Sequence, residues 1–397
     1  MSGAAGPLAG IRVVELAGLG PGPLACMVLA DMGAEVIRID RGGDGLYPGG
    51  VRDVVARGRR SIGVDLKQDA GLAVVLDLVA SADVLLEGFR PGVTERLGLG
   101  PDVCLARNPR LVYCRMTGWG QDGPIAGTAG HDITYLARSG NLARFRRTGE
   151  KPVPPANLLG DFGGGSMPAL TGILAALVSR ATTGRGQVVD AAIVDGVGYL
   201  ATFVTGLERM GMWRAAPGAN MLDTGAPFYE VYACADDDPT AATGRWMAVG
   251  ALEEKFYAEL LRLTDARALV TDAQWDLISP ATRHDPSGWP AGKAVWAEVF
   301  ATRTRDEWTA VFAGSDACVE PVLSPQEAAA DPAALARATV IDTDDGPVPA
   351  PAPRLSATPL AVAAPSPTPG ADTDSVLLDL GRTAGGIAAL RASGAVR

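Results

Sequence analysis

Apolar and polar positions alternate along the first 120 residues in blocks that suit strands and helices in turn. Apolar-rich stretches typical of buried strands cover residues 11–17, 35–40, 61–66, 83–86 and 111–116. Helical patterns lie between some of these strands, at 24–32, which is entered through Pro21 and Pro23, and at 70–80. Parallel strands joined through helices need right-handed crossovers. We therefore predict an α/β fold with a parallel, doubly wound sheet.

The pattern changes after residue 120. Apolar residues at helical spacing predict one helix over 162–180 and another over 191–210. The segment 213–222 has the composition of a linker, and the strand-like stretches and short helices that follow it predict a smaller α+β domain over 223–325. Residues 346–370 are rich in proline, so we predict an extended connector there, followed by two short terminal helices.

Composition narrows the class of protein. With 47% hydrophobic and 20% charged residues, the 397-residue chain is typical of a folded globular protein. Its formal net charge of −10 argues against nucleic acid as a partner. The N-terminal sequence lacks a signal-peptide pattern, and the five cysteines contain no Cys-x-x-Cys pair. We also expect no apolar run long enough to cross a bilayer. We expect a cytoplasmic protein with reduced thiols and no membrane partner.

A basic cluster stands out in this acidic chain. Single arginines in such a loop are usually solvated, but a set of them at the edge of a parallel sheet suits a polyphosphate such as the 3′-phospho-ADP of coenzyme A. The cluster consists of Arg52, Arg57, Arg59 and Arg60, with Arg38, Arg41 and Lys67 nearby.

The turn between the first strand and the first helix invites a second ligand hypothesis. Residues 18–23 read GLGPGP, with Asp40 about twenty positions on, which is similar to a dinucleotide-binding fingerprint. The third glycine of that fingerprint falls on Pro23, whose ring would occupy the tight contact between helix and strand. A turn that opens a helix through prolines is therefore the better interpretation.

His131 and Asp161 are the candidate catalytic pair. His131, one of only two histidines, lies in a polar turn between Gly130 and Asp132. Asp161 is placed to cap the helix that follows, which would stabilise its carboxylate, and the glycines at 163–165 would let a ligand approach the backbone N–H groups. An imidazole and a carboxylate on opposite sides of one carbon suit a two-base proton transfer. The distant histidines and unpaired cysteines predict no metal site.

Long stretches of the chain resemble the alpha-methylacyl-CoA racemases, a branch of the family III CoA-transferases (the CaiB/BaiF superfamily). The matching stretches run nearly from end to end and include VVELAGLGPGP, GRRSIGVDLK, EGFRPGVTERLGLGP, AGHDITY, PPANLLGDFGGGS, TGRGQVVDAAIVDG, NMLDTGAPFY and SDACVEPVL.

The resemblance implies an architecture and a set of site residues. It implies a Rossmann-like large domain built from both chain ends (1–212 and 326–397), with the small domain between them, and an interlocked homodimer with the active site at the subunit interface. The implied catalytic residues are His131, Asp161, Asn157, Glu253 from the other subunit, and Asp132 through its backbone N–H. The implied coenzyme A contacts are Arg41, Val64, Asp65, Leu66, Lys67, Gly88, Phe89, Arg90, Arg96, Gly130 and Tyr135.

The implied reaction is the interconversion of (R)- and (S)-2-methylacyl-CoA thioesters through an enolate. It needs no cofactor, since coenzyme A is part of the substrate. The alternative is a family III CoA transferase, in which Asp161 would be the nucleophile that accepts the acyl group. His131 and Glu253 together favour proton transfer. Two departures from the family are expected to affect the substrate range: Thr224, where the family usually has glycine, and the segment 237–243, which has the pattern of an insertion.

Overall fold

The computed structural model describes residues 6–41, 53–213, 215–241, 243–344 and 346–397, and these form two compact units. Unit 1 combines Met1–Ser139, Pro155–Ala201 and Ala338–Arg397. Unit 2 combines Gly140–Pro154 and Thr202–Arg337.

Unit 1 is built on a six-stranded parallel sheet, which confirms the predicted fold class. Its strands, in chain order, are β1 (Arg12–Leu16), β2 (Glu35–Asp40), β3 (Arg59–Gly63), β4 (Val84–Glu87), β5 (Val112–Thr117) and β6 (Val188–Ala192). The helices among them are α1 (Pro21–Asp31), α2 (Asp69–Ser81), α3 (Val93–Arg96), α4 (Pro101–Arg107), α5 (Asp132–Arg138), α6 (Met167–Thr183) and α7 (Ile193–Leu200).

The strand order is β3-β2-β1-β4-β5-β6, so the direction of winding reverses between β1 and β4. In such sheets, ligands bind outside the carboxyl ends of the strands at this reversal. The loops that leave these ends are 17–20 after β1, 88–92 after β4 and 118–131 after β5. Most residues of β1, β4 and β5 are fully buried, since helices cover both faces of the sheet. The rigid sheet therefore presents these three loops on one edge.

The prediction of a single helix over 191–210 is wrong. Residues 188–192 instead form β6, and two helices follow, α7 and α8 (Thr202–Arg209). The break between them, after Ala201, is also the boundary between the two units. Strand β6 was missed because its short apolar stretch merges with the helical pattern that follows it.

A π-helix precedes α6 and packs closely on α7. It spans Leu158–Ser166 and contains the triple glycine. A Cβ atom on Gly196 of α7 would lie 1.9 Å from the carbonyl oxygen of Gly164, and one on Gly164 would lie 2.5 Å from Val197 Cγ2. Gly164 therefore serves the packing of the two helices, and the expectation that the glycines at 163–165 admit a ligand to the backbone is not met at this position.

The combined helical segment Leu158–Thr183 is 26 residues long, with a mean hydropathy of 1.4 over its most apolar window. By length and composition it could cross a membrane, which corrects the expectation that no stretch is long enough. Core helices of globular proteins meet the same criterion. Its buried residues Ala169, Leu170 and Ile173 pack inside unit 1.

Unit 2 has a three-stranded antiparallel sheet and a core rich in aromatic residues. Strands β7 (Tyr229–Ala233), β8 (Trp246–Gly250) and β9 (Val319–Pro321) pair in that order. The helices are α8, α9 (Glu254–Thr264), α10 (Ala266–Leu269), α11 (Asp272–Ile278), α12 (Trp289–Phe300), α13 (Arg305–Phe312), α14 (Pro325–Ala330) and α15 (Pro332–Arg337). Phe228, Tyr257, Trp296, Phe300 and Trp308 contact one another at the centre.

The boundaries of unit 2 lie outside the predicted 223–325. Residues 140–154 belong to it because Arg144 pairs with Glu208 of α8, at 2.8 Å, and Arg147 pairs with Glu230 of β7, at 2.7 Å. The predicted linker at 213–222 is not a free connector in its described part. Asp223 accepts hydrogen bonds from the backbone N–H groups of Gly218 and Asn220, which folds the segment into a braced turn.

The C-terminal segment returns to unit 1. It forms an antiparallel pair, β10 (Val340–Thr343) and β11 (Gly346–Pro349), and then α16 (Thr373–Asp379) and α17 (Ala384–Ala392). Asp372 accepts the backbone N–H of Ser61 at 2.8 Å, and the Arg397 N–H donates to the Gly63 carbonyl at 2.9 Å. The end of the segment thus lies along the outer edge of β3.

The close crossing of the π-helix and α7 predicts that the Gly196→Ala variant is unstable. Its methyl group would overlap the Gly164 carbonyl, and overpacking of this kind costs about 1–3 kcal/mol of unfolding free energy. The matched control is Gly198→Ala on the same helix, where the added Cβ meets nothing within 4 Å. The control should be neutral or stabilised by up to about 1 kcal/mol. Urea denaturation measures both, and equal stabilities would contradict the packing argument.

Candidate active site

His131 lies at the N-terminus of α5, in the loop that follows β5. Its extended backbone (φ −138°, ψ 167°) ends the loop, and its N–H donates to Thr134 Oγ1 at 2.9 Å. Thr134 Oγ1 in turn donates to the His131 carbonyl oxygen at 2.7 Å, and the two hydrogen bonds fix the first turn of α5 and leave the imidazole exposed. The next residue, Asp132, is the first residue of the helix, so its backbone N–H has no acceptor within the helix.

Asp161 lies inside the π-helix and is not the N-cap that we predicted. The N-cap is Asn157, whose side-chain Nδ2 donates to Asp161 Oδ2 at 2.8 Å. π-Helical turns are rare and occur frequently at functional sites. The extra residue in the turn changes the direction of the side chains, and the Asp161 carboxylate is therefore held by a neighbouring side chain rather than by free backbone N–H groups.

The backbone before Asp161 has two consecutive residues in the left-handed region. Ala156 has a φ of 47° and Asn157 a φ of 63°. Such conformations cost energy in residues other than glycine and cluster at ligand sites. The strain turns the chain into the π-helix, with Asn157 placed to reach the carboxylate.

Asp132 joins α5 to the π-helix. Its Oδ1 accepts the backbone N–H of Asp161 at 2.7 Å, and the side chain is buried. Gly160 makes this contact possible, because a Cβ at that position would lie 2.1 Å from Asp132 Oδ1. The hydrogen bond holds the N-terminus of α5, which carries His131, against the segment that carries Asp161.

The turn after β1 also reaches this site, which the sequence did not indicate. Gly20 has a φ of 72°, and a Cβ on it would lie 3.5 Å from Asp161 Oδ2. Ser166 Oγ donates to the Pro21 carbonyl at 2.7 Å, which ties the π-helix to the start of α1. The GLGPGP turn is therefore a wall beside the carboxylate, in addition to opening a helix.

Burial raises the pKa of Asp161. The hydrogen bond from Asn157 and the nearby His131 lower the pKa, while the negative charge of Asp132 raises it. The net direction is upward from the ordinary value of an aspartate. A carboxylate with a raised pKa is a stronger base, so the environment adapts Asp161 to accept a proton.

An aromatic pair lies beside the histidine turn. The rings of Trp119 and Tyr135 meet edge to face with centroids 4.7 Å apart, and Tyr135 fills the space next to Gly118 and Gly130. Burial and the charge of Asp161 raise the pKa of Tyr135. Trp119 was not among the predicted site residues, although its motif, GWGQDGP, follows β5 directly.

The predicted coenzyme A residues fall in three places in unit 1. The first place contains Arg41, which follows β2, and the strip 64–67, which follows β3. In that strip Lys67 is exposed, and Val64 is buried against Val396. The second strip, 88–90, follows β4, and its Phe89 N–H donates to Glu87 Oε2 at 2.7 Å. Arg90 and Arg96 are exposed after β4. The third place, Gly130 and Tyr135, is the histidine turn already described.

The predicted phosphate cluster is wrong for two of its arginines. Arg57 is buried and pairs with Asp31 at 2.5 Å, and Arg59 is buried and pairs with Glu15 at 2.9 Å. These pairs neutralise the guanidinium groups and hold β3 against α1 and β1. Arg60 pairs with Glu35 and Asp379, and Arg38 with Asp40. Arg52 lies outside the described residues.

Glu253 lies in unit 2, at the N-terminus of α9, with its side chain exposed. Thr224 has a φ of 73°, a backbone conformation that favours glycine and explains why the family usually has glycine there. Within 237–243, Asp238 accepts hydrogen bonds from Thr240, which forms an exposed turn. Within the described ranges no three His, Cys, Asp or Glu side chains form a metal-ligand group.

Known proteins are similar to this chain in sequence and in fold. The sequence profile of CoA-transferase family III matches residues 8–373. Alpha-methylacyl-CoA racemase of Mus musculus is 48% identical over 322 residues, which cover 81% of this chain and 79% of that protein. The Homo sapiens racemase is 47% identical, over 81% and 78%. A crystal structure of a CaiB/BaiF family protein from Brucella suis has a TM-score of 0.77 at 26% identity, over 95% of this chain and 100% of that chain.

The contact between Asn157 and Asp161 predicts a measurable change in the site. Replacing Asn157 with Ala or Gly removes the donor, so the pKa of Asp161 should rise in both variants. The Gly variant also suits the positive φ and should be about 1 kcal/mol more stable than the Ala variant. Carbon-13 NMR of labelled aspartates gives the pKa, and the Asp161→Asn variant identifies the resonance. An unchanged pKa would show that Asn157 does not stabilise the carboxylate.

Proposed function

This chain belongs to CoA-transferase family III, and we infer that within the family it is an alpha-methylacyl-CoA racemase. It is an enzyme that interconverts the (R) and (S) forms of 2-methylacyl-CoA thioesters. Identity of 47–48% to two racemases over 81% of the chain supports this assignment. The observation in the site that carries it is the juxtaposition of His131 and Asp161, joined through Asp132.

We propose that these two side chains are the two bases of a 1,1-proton transfer. One base takes the α-proton, and the electron pair of the broken C–H bond moves into the thioester carbonyl to give an enolate. The conjugate acid of the other base returns a proton to the opposite face, which inverts the carbon. His131 acts as the base for one enantiomer and Asp161 for the other.

The enolate oxygen needs a hydrogen-bond donor. The Asp132 N–H, without an acceptor in α5, is suited to donate to the thioester oxygen. Stabilising the enolate makes the α-proton more acidic, so that weak bases such as imidazole and carboxylate can remove it. Both proton transfers leave the oxidation state of the substrate unchanged, so the reaction as proposed uses no redox cofactor.

The coenzyme A moiety is proposed to run along the carboxyl edge of the sheet. The strips 64–67 and 88–90 lie there, and Arg41, Lys67, Arg90 and Arg96 are exposed cations that suit its phosphates. Arg57 and Arg59 are paired in the interior, so the four exposed cations are the residues proposed to bind the phosphates. The Trp119–Tyr135 pair is suited to line the pantetheine arm beside Gly130.

We propose that the enzyme works as an interlocked homodimer in the cytoplasm. In this proposal Glu253 of one subunit approaches His131 of the other and orients its imidazole. Support comes from the resemblance to the racemases and from the exposed position of Glu253 at the start of α9. The competing proposal, a CoA transferase with Asp161 as nucleophile, has no role for the histidine beside the carboxylate.

The reaction type is tested by hydrogen exchange. In D2O the protein should exchange the α-proton of a 2-methylacyl-CoA and equilibrate both enantiomers without an acceptor acid. His131→Ala and Asp161→Ala should each lose racemisation by roughly 10²–10⁴-fold, the usual contribution of general acid–base catalysis. Any exchange that remains should be with one enantiomer in the His131→Ala variant and with the other enantiomer in the Asp161→Ala variant. Chiral chromatography and mass spectrometry measure both quantities.

The other histidine provides a matched control. His284 is exposed in unit 2, so His284→Ala should keep normal activity. Racemisation at a normal rate by Asp161→Ala would contradict the two-base mechanism. Acyl transfer to oxalate or succinate without exchange would favour the transferase.

The assembly is tested by complementation. His131→Ala and Glu253→Ala chains are each expected to be inactive alone. Co-expressed with different affinity tags and purified as heterodimers, they should regain part of the activity, since one of the two sites then has an intact set of residues. Glu254→Ala is the matched control for the neighbouring acidic residue. Full activity in a species sized as a monomer would rule out the shared site.

A further inference from the structure

The Asp132 carboxylate is buried beside Asp161 with one oxygen unpartnered. The residue is only 2% exposed. Its Oδ1 accepts the Asp161 N–H, whereas Oδ2 has no hydrogen-bond partner among the residues that the structure describes. Leaving a buried carboxylate oxygen unpartnered costs free energy. This cost indicates that the Asp132 carboxylate has a role beyond packing.

The surrounding backbone is shaped to accept this carboxylate. A Cβ on Gly160 would lie 2.1 Å from Oδ1 and 2.7 Å from Cγ of Asp132. The Gly160 backbone is helical and has no positive φ. Glycine is therefore required at this position for space and not for unusual dihedral angles. Asp132 and Gly160 therefore form a fitted pair between α5 and the π-helix.

We propose that the Asp132 side chain is a positioning residue that acts through Asp161: Oδ1 holds the Asp161 backbone in the π-helix, and Oδ2 keeps a second negative charge beside the base. This role is separate from that of the Asp132 backbone N–H. It rests on the proposed function only in assigning proton transfer to Asp161.

The charges around Asp161 agree with this role. The groups that face it are His131, Asp132 and Tyr135 from α5 and Asn157 from the π-helix itself. Burial is the main cause of the raised pKa of Asp161, and the charge of Asp132 adds to it, while Asn157 and His131 oppose it. Removing the charge of Asp132 should therefore lower the pKa of Asp161 and weaken it as a base.

Two substitutions separate the two parts of the role. Asp132→Asn keeps an oxygen that can accept the Asp161 N–H but removes the negative charge. Asp132→Ala removes both. Gly160→Ala approaches the contact from the other side, because its methyl group would push the carboxylate away from the amide. Asp195→Asn, at an exposed position on α7, is the matched control for the chemical change.

The experiment measures α-proton exchange of each enantiomer against pH, with kcat and KM determined separately. For the enantiomer that His131→Ala still exchanges, Asp132→Asn should move the acidic limb of the kcat profile to lower pH. The other enantiomer should keep its profile. Asp132→Ala should lose about a further tenfold in kcat for the first enantiomer, the scale of a lost hydrogen bond, with KM within about twofold.

A double-mutant cycle tests the backbone contact. Gly160→Ala alone should lower kcat for the Asp161-dependent enantiomer about as much as Asp132→Ala. When Gly160→Ala is added to Asp132→Ala, it should lower kcat much less than Gly160→Ala does alone, because the two changes remove the same contact. Independent, multiplying losses would overturn the tethering role, and unchanged pH profiles in Asp132→Asn would overturn the charge role.

The role of Asp132 can be tested separately from the proposed function. Carbon-13 NMR of labelled aspartates reports the pKa of Asp161 without any substrate, and Asp132→Asn should lower it while Asp195→Asn should not. If the native enzyme shows no α-exchange, the racemase assignment fails, yet this titration still decides the role of Asp132. An unchanged Asp161 pKa in folded Asp132→Asn overturns the inference whatever the reaction is.

Discussion

The site depends on a close approach of backbones that only glycine allows. The π-helix meets α7 where Gly164 and Gly196 lie against each other, and it meets α5 where Gly160 admits the Asp132 carboxylate. With these contacts in place, the carboxylate of Asp161 has one position relative to the histidine turn. Proton transfer between two faces of one carbon is sensitive to displacements of about an ångström. Placing the base on packed helices rather than on a loop supplies that precision.

The buried ion pairs have a different role. Arg57 with Asp31 and Arg59 with Glu15 join β3 to α1 and β1. Buried pairs of this kind contribute little net stability, but removing one partner is costly because it leaves a charge without compensation. Arg59 also donates to the carbonyl oxygen of Pro23 at the start of α1, directly after the turn that forms the wall beside Asp161. An acidic chain thus uses part of its arginine content as internal structure and leaves fewer exposed cations for a ligand.

The sequence predicted the sheet and the candidate bases, for physical reasons that are local. Strands β1, β4 and β5 are almost entirely buried, so each shows as an apolar run in the sequence. His131 is one of only two histidines and stands in a polar turn, and Asp161 directly precedes a run of glycines, so both stand out in the sequence. What could not be predicted depends on contacts distant along the chain. The partners of Arg57 and Arg59 lie 26 and 44 residues away. The π-helix, the capping by Asn157 and the boundary near Ala201 likewise arise from packing between elements.

Unit 1 is closed by residues from the far end of the chain. Asp372 and Thr373 bind the outer edge of β3 at Ser61 and Gly63, and the last residues continue along it. During synthesis, the edge of β3 is therefore exposed until more than 300 further residues have been translated, including all of unit 2. Contacts so distant in sequence carry a large loop-closure entropy and form late. An open edge of a parallel sheet is also a template for pairing with other chains. The returning segment that covers the edge of β3 thus removes, at a late stage of folding, a surface that could pair with other chains.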